Sequence, residues 1–540
     1  MKVPALWGRH VAAAGAYALI VALVVWHGVD LGRILLGGDG DTTAFIWYLG
    51  WWPYALTHHL NPFFGTMIWA PQGLNLIWVN CIPVIALLAW PLTWAVGVAV
   101  SYDLLTLAVP LLNALAAYAF CFALTRRVLP AWFGGFLFAF SSYAMARQND
   151  QLNLSLTALL PLVAWLVWAR FEGRVGRARA VGLAAVMMAL EAGISLEIFA
   201  LSVVFAAYAW GLAWWRLRER RAALRRVFVD ALWVVPPLLV LVSPLLWPMV
   251  MGRNDMHLPA AWPDYFSTDP LNFIVPTATT WLGGTLCAPL SHRFAGLVGE
   301  QAGYLGLPLV VLLWGYLRGR GYLAWLLGGV LVASLGPHLW LGGVETGLPM
   351  PWALFHALPL LGNALPARLM LFAGVVIAPV GALWLAEAFG WRRLLGAGLV
   401  VLTLWPAPRP AVPRPDAPLF APGRLVSVIG AGQSVLVLPV GFHSEATYWQ
   451  AQSGFGFKLT SAYLGFPPVA LQRDHAMMKA YLGLPVPNLA AQIEAYARRT
   501  GTGYIIATPQ TPPDLLAGLG ASGWGERDVD GMKLFQVPRP

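Results

Sequence analysis

Apolar runs of roughly 20 residues, divided by short Arg-rich punctuation, recur along the first 405 residues, the spacing expected of helices that cross a bilayer. They predict about 11 spans, at 11–29, 104–124, 131–145, 152–171, 178–194, 197–215, 229–251, 304–317, 322–335, 369–389 and 394–405. Two further apolar pieces, 44–56 and 82–100, fall between the first two spans. The first is short for a crossing and the second is long enough. The first run follows Lys2, Arg9 and His10 as a signal anchor would, but it lacks a small-residue cleavage site and counts as a span. Beyond residue 405 the pattern changes. A Pro-rich linker at 406–422 leads into a more polar tail at 423–540. There strand-like runs (433–440, 503–508, 532–537) alternate with helical stretches (489–500, 514–520). The expected fold class is an all-α polytopic membrane protein, with its membrane domain at 1–405 and a small C-terminal α/β domain.

Composition supports that division. The chain is 59% hydrophobic and 11% charged, with a mean hydropathy of +0.66, whereas about a quarter of a soluble domain's residues are charged. The 28 Trp suit interfacial belts. The formal charge of +10 comes from Arg in short inter-helix loops rather than on one basic face, so no nucleic-acid partner is implied. Cys81, Cys121 and Cys287 have neither metal-ligand nor disulfide spacing.

Basic residues mark the cytoplasmic side of a membrane protein. Placing the clusters at 126–127, 170–179, 216–226, 318–320 and 392–393 inside with the N-terminus accounts for 18 of the 23 Lys and Arg before the linker. The same parity puts 12 of that region's 16 acids outside, together with the tail. No Lys or Arg occurs between Arg33 and Arg126, so that stretch reads as an outer loop. For the parity to hold, pieces 44–56 and 82–100 either both lie in the membrane plane or both span. In-plane is preferred, because a loop at 58–72 without a base makes a poor cytoplasmic turn.

Candidate chemistry follows the acids. Asp39 and Asp41, in Gly38-Asp39-Gly40-Asp41 just after the first span, can take a proton from an acceptor hydroxyl. The plain alternative is a solvated turn. Arg147, Asp150, Gln151 and Asn153 form a polar knot between two spans that can hold a sugar, a phosphate or a metal ion, or simply close a loop. Glu191 and Glu197 flank Gly193-Ile194-Ser195, where charge beside apolar helix is costly. Arg368 enters a late span from outside and suits a phosphate through paired, charge-assisted hydrogen bonds, or snorkels at the interface. His257, His338 and His356 lie in outer loops and are candidate metal ligands or proton carriers. Pro236, Pro237 and Pro244 are expected to break one span. No Walker A loop, dinucleotide fingerprint, HExxH or GxSxG stands in a credible context.

With the acids outside, the chain resembles the GT-C superfamily of integral-membrane glycosyltransferases over roughly its first 400 residues. The resemblance rests on Gly40-Asp41-Thr42-Thr43-Ala44-Phe45-Ile46-Trp47 after the first span, and on Asn61-Pro62-Phe63 and Pro71-Gln72-Gly73 in the outer loop. It rests also on Asp150-Gln151-Leu152-Asn153-Leu154, Ile194-Ser195-Leu196-Glu197 and Pro366-Ala367-Arg368. Look-alikes carry a His where Gln151 stands, which weakens a metal or proton role there.

The resemblance implies in-plane helices in the first outer loop. It also implies inverting transfer of a sugar from a polyprenyl-phosphate or -diphosphate carrier to an extracytoplasmic acceptor, as in EC class 2.4. Asp41 would be the general base or would orient the acceptor, with Asp39 as the alternative base, and Arg368 would hold the donor phosphate. Arg147, Asp150, Gln151, Asn153, Glu197 and His257 would complete substrate binding. No soluble cofactor is required, and any divalent cation, Mg or Mn, would fall to Asp41, Asp150 and Glu197. Implied partners are the lipid-linked donor, the acceptor and the bilayer. The implied location is a bacterial inner membrane, with the N-terminus cytoplasmic and the tail periplasmic or extracellular. The rival is a transporter or lipid-carrier flippase, which would favour ionisable groups near the bilayer midplane and repeated halves.

Overall fold

A computed structural model describes residues 3–38, 40–148, 150–252, 262–356, 362, 364–465 and 467–538. Among these, six helical segments are long and apolar enough to cross a membrane: Trp7–Trp26, Val98–Thr125, Leu152–Phe171, Leu196–Arg216, Arg218–Met251 and Pro366–Glu387. The protein is a mostly helical membrane protein. Pro83–Val96, Val128–Ala139, Leu307–Leu317 and Gly321–Ser334 are apolar but shorter. At about 1.5 Å per residue, helices of this length fall short of a hydrocarbon core about 30 Å thick.

Two local expectations are corrected. The piece 82–100 is not one helix, because Pro83–Val96 stops at Gly97, whose φ of 82° no other residue adopts easily, and Val98 opens the next helix. Nor do Pro236, Pro237 and Pro244 break their span, since Arg221–Met251 runs as one 31-residue helix through all three. Spans tolerate proline where local adjustments satisfy the freed carbonyls.

The chain folds as two compact units. The first comprises 1–29, 105–242 and 259–410. Its centre is helix Met370–Glu387, buried along most of its length and packed against Val128–Ala139. Glycines allow the close approach. A Cβ on Gly134 would stand 2.8 Å from the Ala378 carbonyl oxygen, and one on Gly135 would stand 2.8 Å from that of Ala114 and collide with Tyr17. Tyr17 itself donates its hydroxyl to the Trp132 carbonyl at 2.7 Å. Asp230 ties Arg170 (2.6 Å) to Arg177 (3.0 Å), joining three helices through one carboxylate.

The second unit comprises 30–104, 243–258 and 411–540, so the segment after the first helix and the tail fold together. The tail builds a five-stranded sheet in the order Gly525–Val529, Met532–Gln536, Tyr504–Ala507, Ser434–Leu438, Lys458–Leu459. The first two pairings are antiparallel and the last two parallel. Apolar residues such as Val435, Leu436, Ile505, Ile506 and Phe535 fill its core. Helix Gly40–Thr57 lies against Pro83–Val96 and Ala446–Gln452.

Buried polar bonds pin the outer loop to the tail. Trp47 Nε1 donates to Gln450 Oε1 at 2.7 Å, and Gln450 Nε2 donates to the carbonyls of Met67 (2.7 Å) and Phe457 (2.8 Å). Strand Ile34–Leu36 pairs antiparallel with Ala411–Pro413. Asp103, fully buried, accepts from the Leu36 amide at 2.9 Å and from Arg414 at 3.4 Å.

The glycine contacts make a stability prediction. Gly135→Ala should cost about 1–3 kcal/mol, because the clash is with backbone and a wedged Tyr ring. Thermal melts in detergent would check it, and adding Tyr17→Phe should recover part of the loss.

Candidate active site

The first unit gathers four charged side chains from segments far apart in sequence. Arg147 ends the short helix Ser142–Arg147, which Ser141 caps by accepting the Ala144 amide. Glu197 lies in the first turn of Leu196–Arg216, after Ser195 has capped that helix by accepting from Ile198. There a carboxylate meets the positive end of the helix dipole. Arg368 sits in the tight turn Pro366–Leu369 that leads into Met370–Glu387. Glu300 closes the turn Val298–Glu300.

Glu300 is the hub. Its Oε1 accepts from Arg147 Nη1 at 2.6 Å, from Arg368 Nη2 at 2.8 Å and from Arg368 Nε at 3.3 Å. Arg368 Nη1 reaches Glu197 Oε2, while Arg147 also binds Gln151 and the Gly299 carbonyl. Burial alone would raise the Glu300 pKa, but the two guanidinium groups outweigh it and hold it at about 2. Arg147 is 1% exposed, Glu300 6% and Arg368 13%, whereas Glu197 is 29% exposed and forms the wet edge of the chain of charges. The four charges sum to zero, which is how an apolar interior accommodates them.

The other predicted residues of this unit lie nearby in sequence. Asp150 occupies the turn after Arg147, partly buried, and Asn153 is buried on the short helix Leu152–Ser155. Among the described residues, both Glu191 oxygens and Asn153 Oδ1 are buried without a hydrogen-bond partner. A narrow apolar cleft runs beside Tyr143, Leu305, Leu309, Met370 and Ile377. Elsewhere, Asp264, His338 and Glu345 bring three ligand atoms within 4.8 Å of one another, with His338 Nδ1 2.9 Å from Asp264 Oδ2. Glu197 has Oε2 on Arg368, while its Oε1 is buried without a hydrogen-bond partner among the described residues. Asp39 and His257 lie outside the described residues.

The second unit holds Asp41, in the first turn of helix Gly40–Thr57. Tyr463 donates its hydroxyl to Asp41 Oδ1 at 3.0 Å. Around it stand Phe442, edge-on to the Tyr463 ring at 5.2 Å, and Tyr481, stacked on it at 6.1 Å. Burial pushes the Tyr481 hydroxyl well above the usual tyrosine range, and the Asp41 charge adds to the effect, so Tyr481 stays neutral and donates to the Gly465 carbonyl at 2.6 Å. Burial also raises Glu445 to about 7.

Glu300 and Tyr463 are the two residues that the pattern did not single out. An acid in Gly299-Glu300-Gln301, close before a span, was a signal for the first. No motif marks the second.

The buried hub generates a measurable pH effect. Glu300→Gln should destabilise the protein by about 3–5 kcal/mol at pH 7, since two buried guanidinium groups lose their shared anion. A carboxyl held below its unfolded value stabilises the fold above that unfolded pKa of about 4.3, and the contribution is lost as pH falls toward 2. The gap in melting temperature between wild type and Glu300→Gln should therefore be constant above about pH 5 and narrow below it.

Among solved structures, the chain is similar over 98% of its length to the arabinofuranosyltransferase AftD from mycobacteria, with a TM-score of 0.58 and 14% identity, covering 41% of that chain. A second class of the same enzyme gives a TM-score of 0.55 at 15% identity, with the same coverages. The apo oligosaccharyltransferase of Archaeoglobus fulgidus aligns over 92% of this chain and 69% of its own, at a TM-score of 0.49 and 13% identity. The chain thus spans about two fifths of the AftD chain. No protein-family model and no curated protein matches the sequence. The likeness is one of fold, and by it the chain has the GT-C fold of the integral-membrane glycosyltransferases.

Proposed function

We propose that this protein is an inverting membrane glycosyltransferase that moves a sugar from a polyprenyl-phosphate or -diphosphate carrier to an extracytoplasmic acceptor. The observation that carries the reading is the pair of buried guanidinium groups, Arg147 and Arg368, held at helix ends within a GT-C fold. The fold likeness to an arabinofuranosyltransferase supports a sugar as the transferred group. The sequence pattern supports the orientation, with the N-terminus cytoplasmic and the tail outside a bacterial inner membrane.

Arg368 suits the donor phosphate because its anchor and its exposed bond are separate. Nε and Nη2 stay on buried Glu300, while Nη1 holds Glu197, the more exposed partner. An incoming phosphate oxygen replaces Glu197 on Nη1 without freeing the guanidinium from Glu300. The exchange leaves both arginines on Glu300 and places positive charge where the leaving phosphate develops its own. The apolar cleft beside Tyr143 and Met370 suits part of a prenyl tail. Asp150, Gln151 and Asn153 present polar groups to the sugar.

In this reading the Asp41 carboxylate takes the acceptor's proton as its oxygen attacks the anomeric carbon with inversion. The C1–O(phosphate) bond breaks, and the phosphate leaves with its electron pair. The expected result is turnover of one polyprenyl-linked sugar by purified protein in lipid, abolished in folded Asp41→Asn. In Arg368→Lys, KM for the donor should rise at least tenfold. No turnover of any donor, with substrate flux across liposomes instead, would overturn the reading.

A further inference from the structure

The tail's Tyr463 reaches the first-turn acid of a helix 422 residues away in sequence, and the contact is built rather than incidental. A Cβ on Gly40 would stand 2.7 Å from Tyr463 Cε1 and 2.9 Å from the Phe442 carbonyl, so the glycine allows the ring to lie against the helix terminus. Phe442 and Tyr481 hold that ring on two sides, and Trp69 stands next to Tyr481 at 6.1 Å. Tyr463 is 8% exposed, so its hydroxyl is directed by packing and not by solvent. Below it, Thr447 donates to Thr43 at 3.1 Å and Trp47 to Gln450, fixing the tail to the same helix.

We propose that Tyr463 is the positioning residue for Asp41: its hydroxyl fixes the plane of the carboxylate, so the C-terminal domain supplies part of the acid's pocket. This rests on the proposed role of Asp41 as the acceptor's base. The proton balance is simple. The acceptor's proton moves to the Asp41 carboxylate, and Tyr463 keeps its own, donating to the oxygen throughout.

Among the described residues, Tyr463 bonds Asp41, and Tyr48, seven residues along the same helix, and Tyr481 stand close enough to sense its charge. His443 and Glu445 belong to the segment that carries Phe442. Tyr481 donates its own proton to the Gly465 carbonyl at 2.6 Å.

Tyr463→Phe removes the hydroxyl and keeps the ring, so the packing of Gly40, Phe442 and Tyr481 survives. The test is steady-state transfer of a polyprenyl-linked sugar by the protein in lipid, with kcat and both KM values compared between wild type and Tyr463→Phe. A carboxylate left free to rotate should lower kcat about tenfold and leave KM for the donor unchanged. An unchanged kcat in folded Tyr463→Phe overturns the inference even if Asp41→Asn abolishes transfer. Transfer that survives Asp41→Asn overturns the role of Asp41, and with it that of Tyr463, whatever Tyr463→Phe does.

Discussion

Two guanidinium groups and two carboxylates buried in an apolar bundle must neutralise one another, and that constraint fixes how the first unit is assembled. Glu300 can serve Arg147 and Arg368 at once only if three segments meet: the helix Ser142–Arg147, the loop before Leu307–Leu317 and the turn that opens Met370–Glu387. Loss of any partner strands a charge at a cost of several kcal/mol. The network therefore holds the ends of these helices in register, with Glu197 as its more exposed member.

The second unit is held by a different device. Its outer loop and its tail share a buried polar seam in which Trp47, Gln450, Asp103 and Arg414 satisfy one another's hydrogen-bonding groups. Asp41 sits at the helix terminus this seam supports, so the acid's position depends on residues more than 400 positions away.

Much of this was legible in the sequence. Apolar runs mark long helices because the bilayer requires about 20 apolar residues per crossing, and the tail's strand runs appear as Ser434–Leu438, Tyr504–Ala507 and Met532–Gln536. Arg147, Glu197 and Arg368 stood out because charge beside apolar helix is costly, and Gln151 as part of a polar knot between two spans; the structure brings the four together. Glu300 did not stand out, because only its distant partners distinguish it from other loop acids. The break at Gly97 and the unbroken run through Pro236 and Pro237 depend on backbone conformation that periodicity does not encode. Tyr463 was invisible for a related reason: one tyrosine among 16 carries no mark of the helix it touches.

The most direct measurement of the account is a cryo-EM structure of the protein in lipid nanodiscs with a non-transferable polyprenyl-phosphate sugar. The account predicts phosphate density on Arg368 Nη1, with Glu197 displaced and Glu300 still bound to both arginines. Density for the phosphate elsewhere, with the Arg368–Glu197 pair intact, would contradict it.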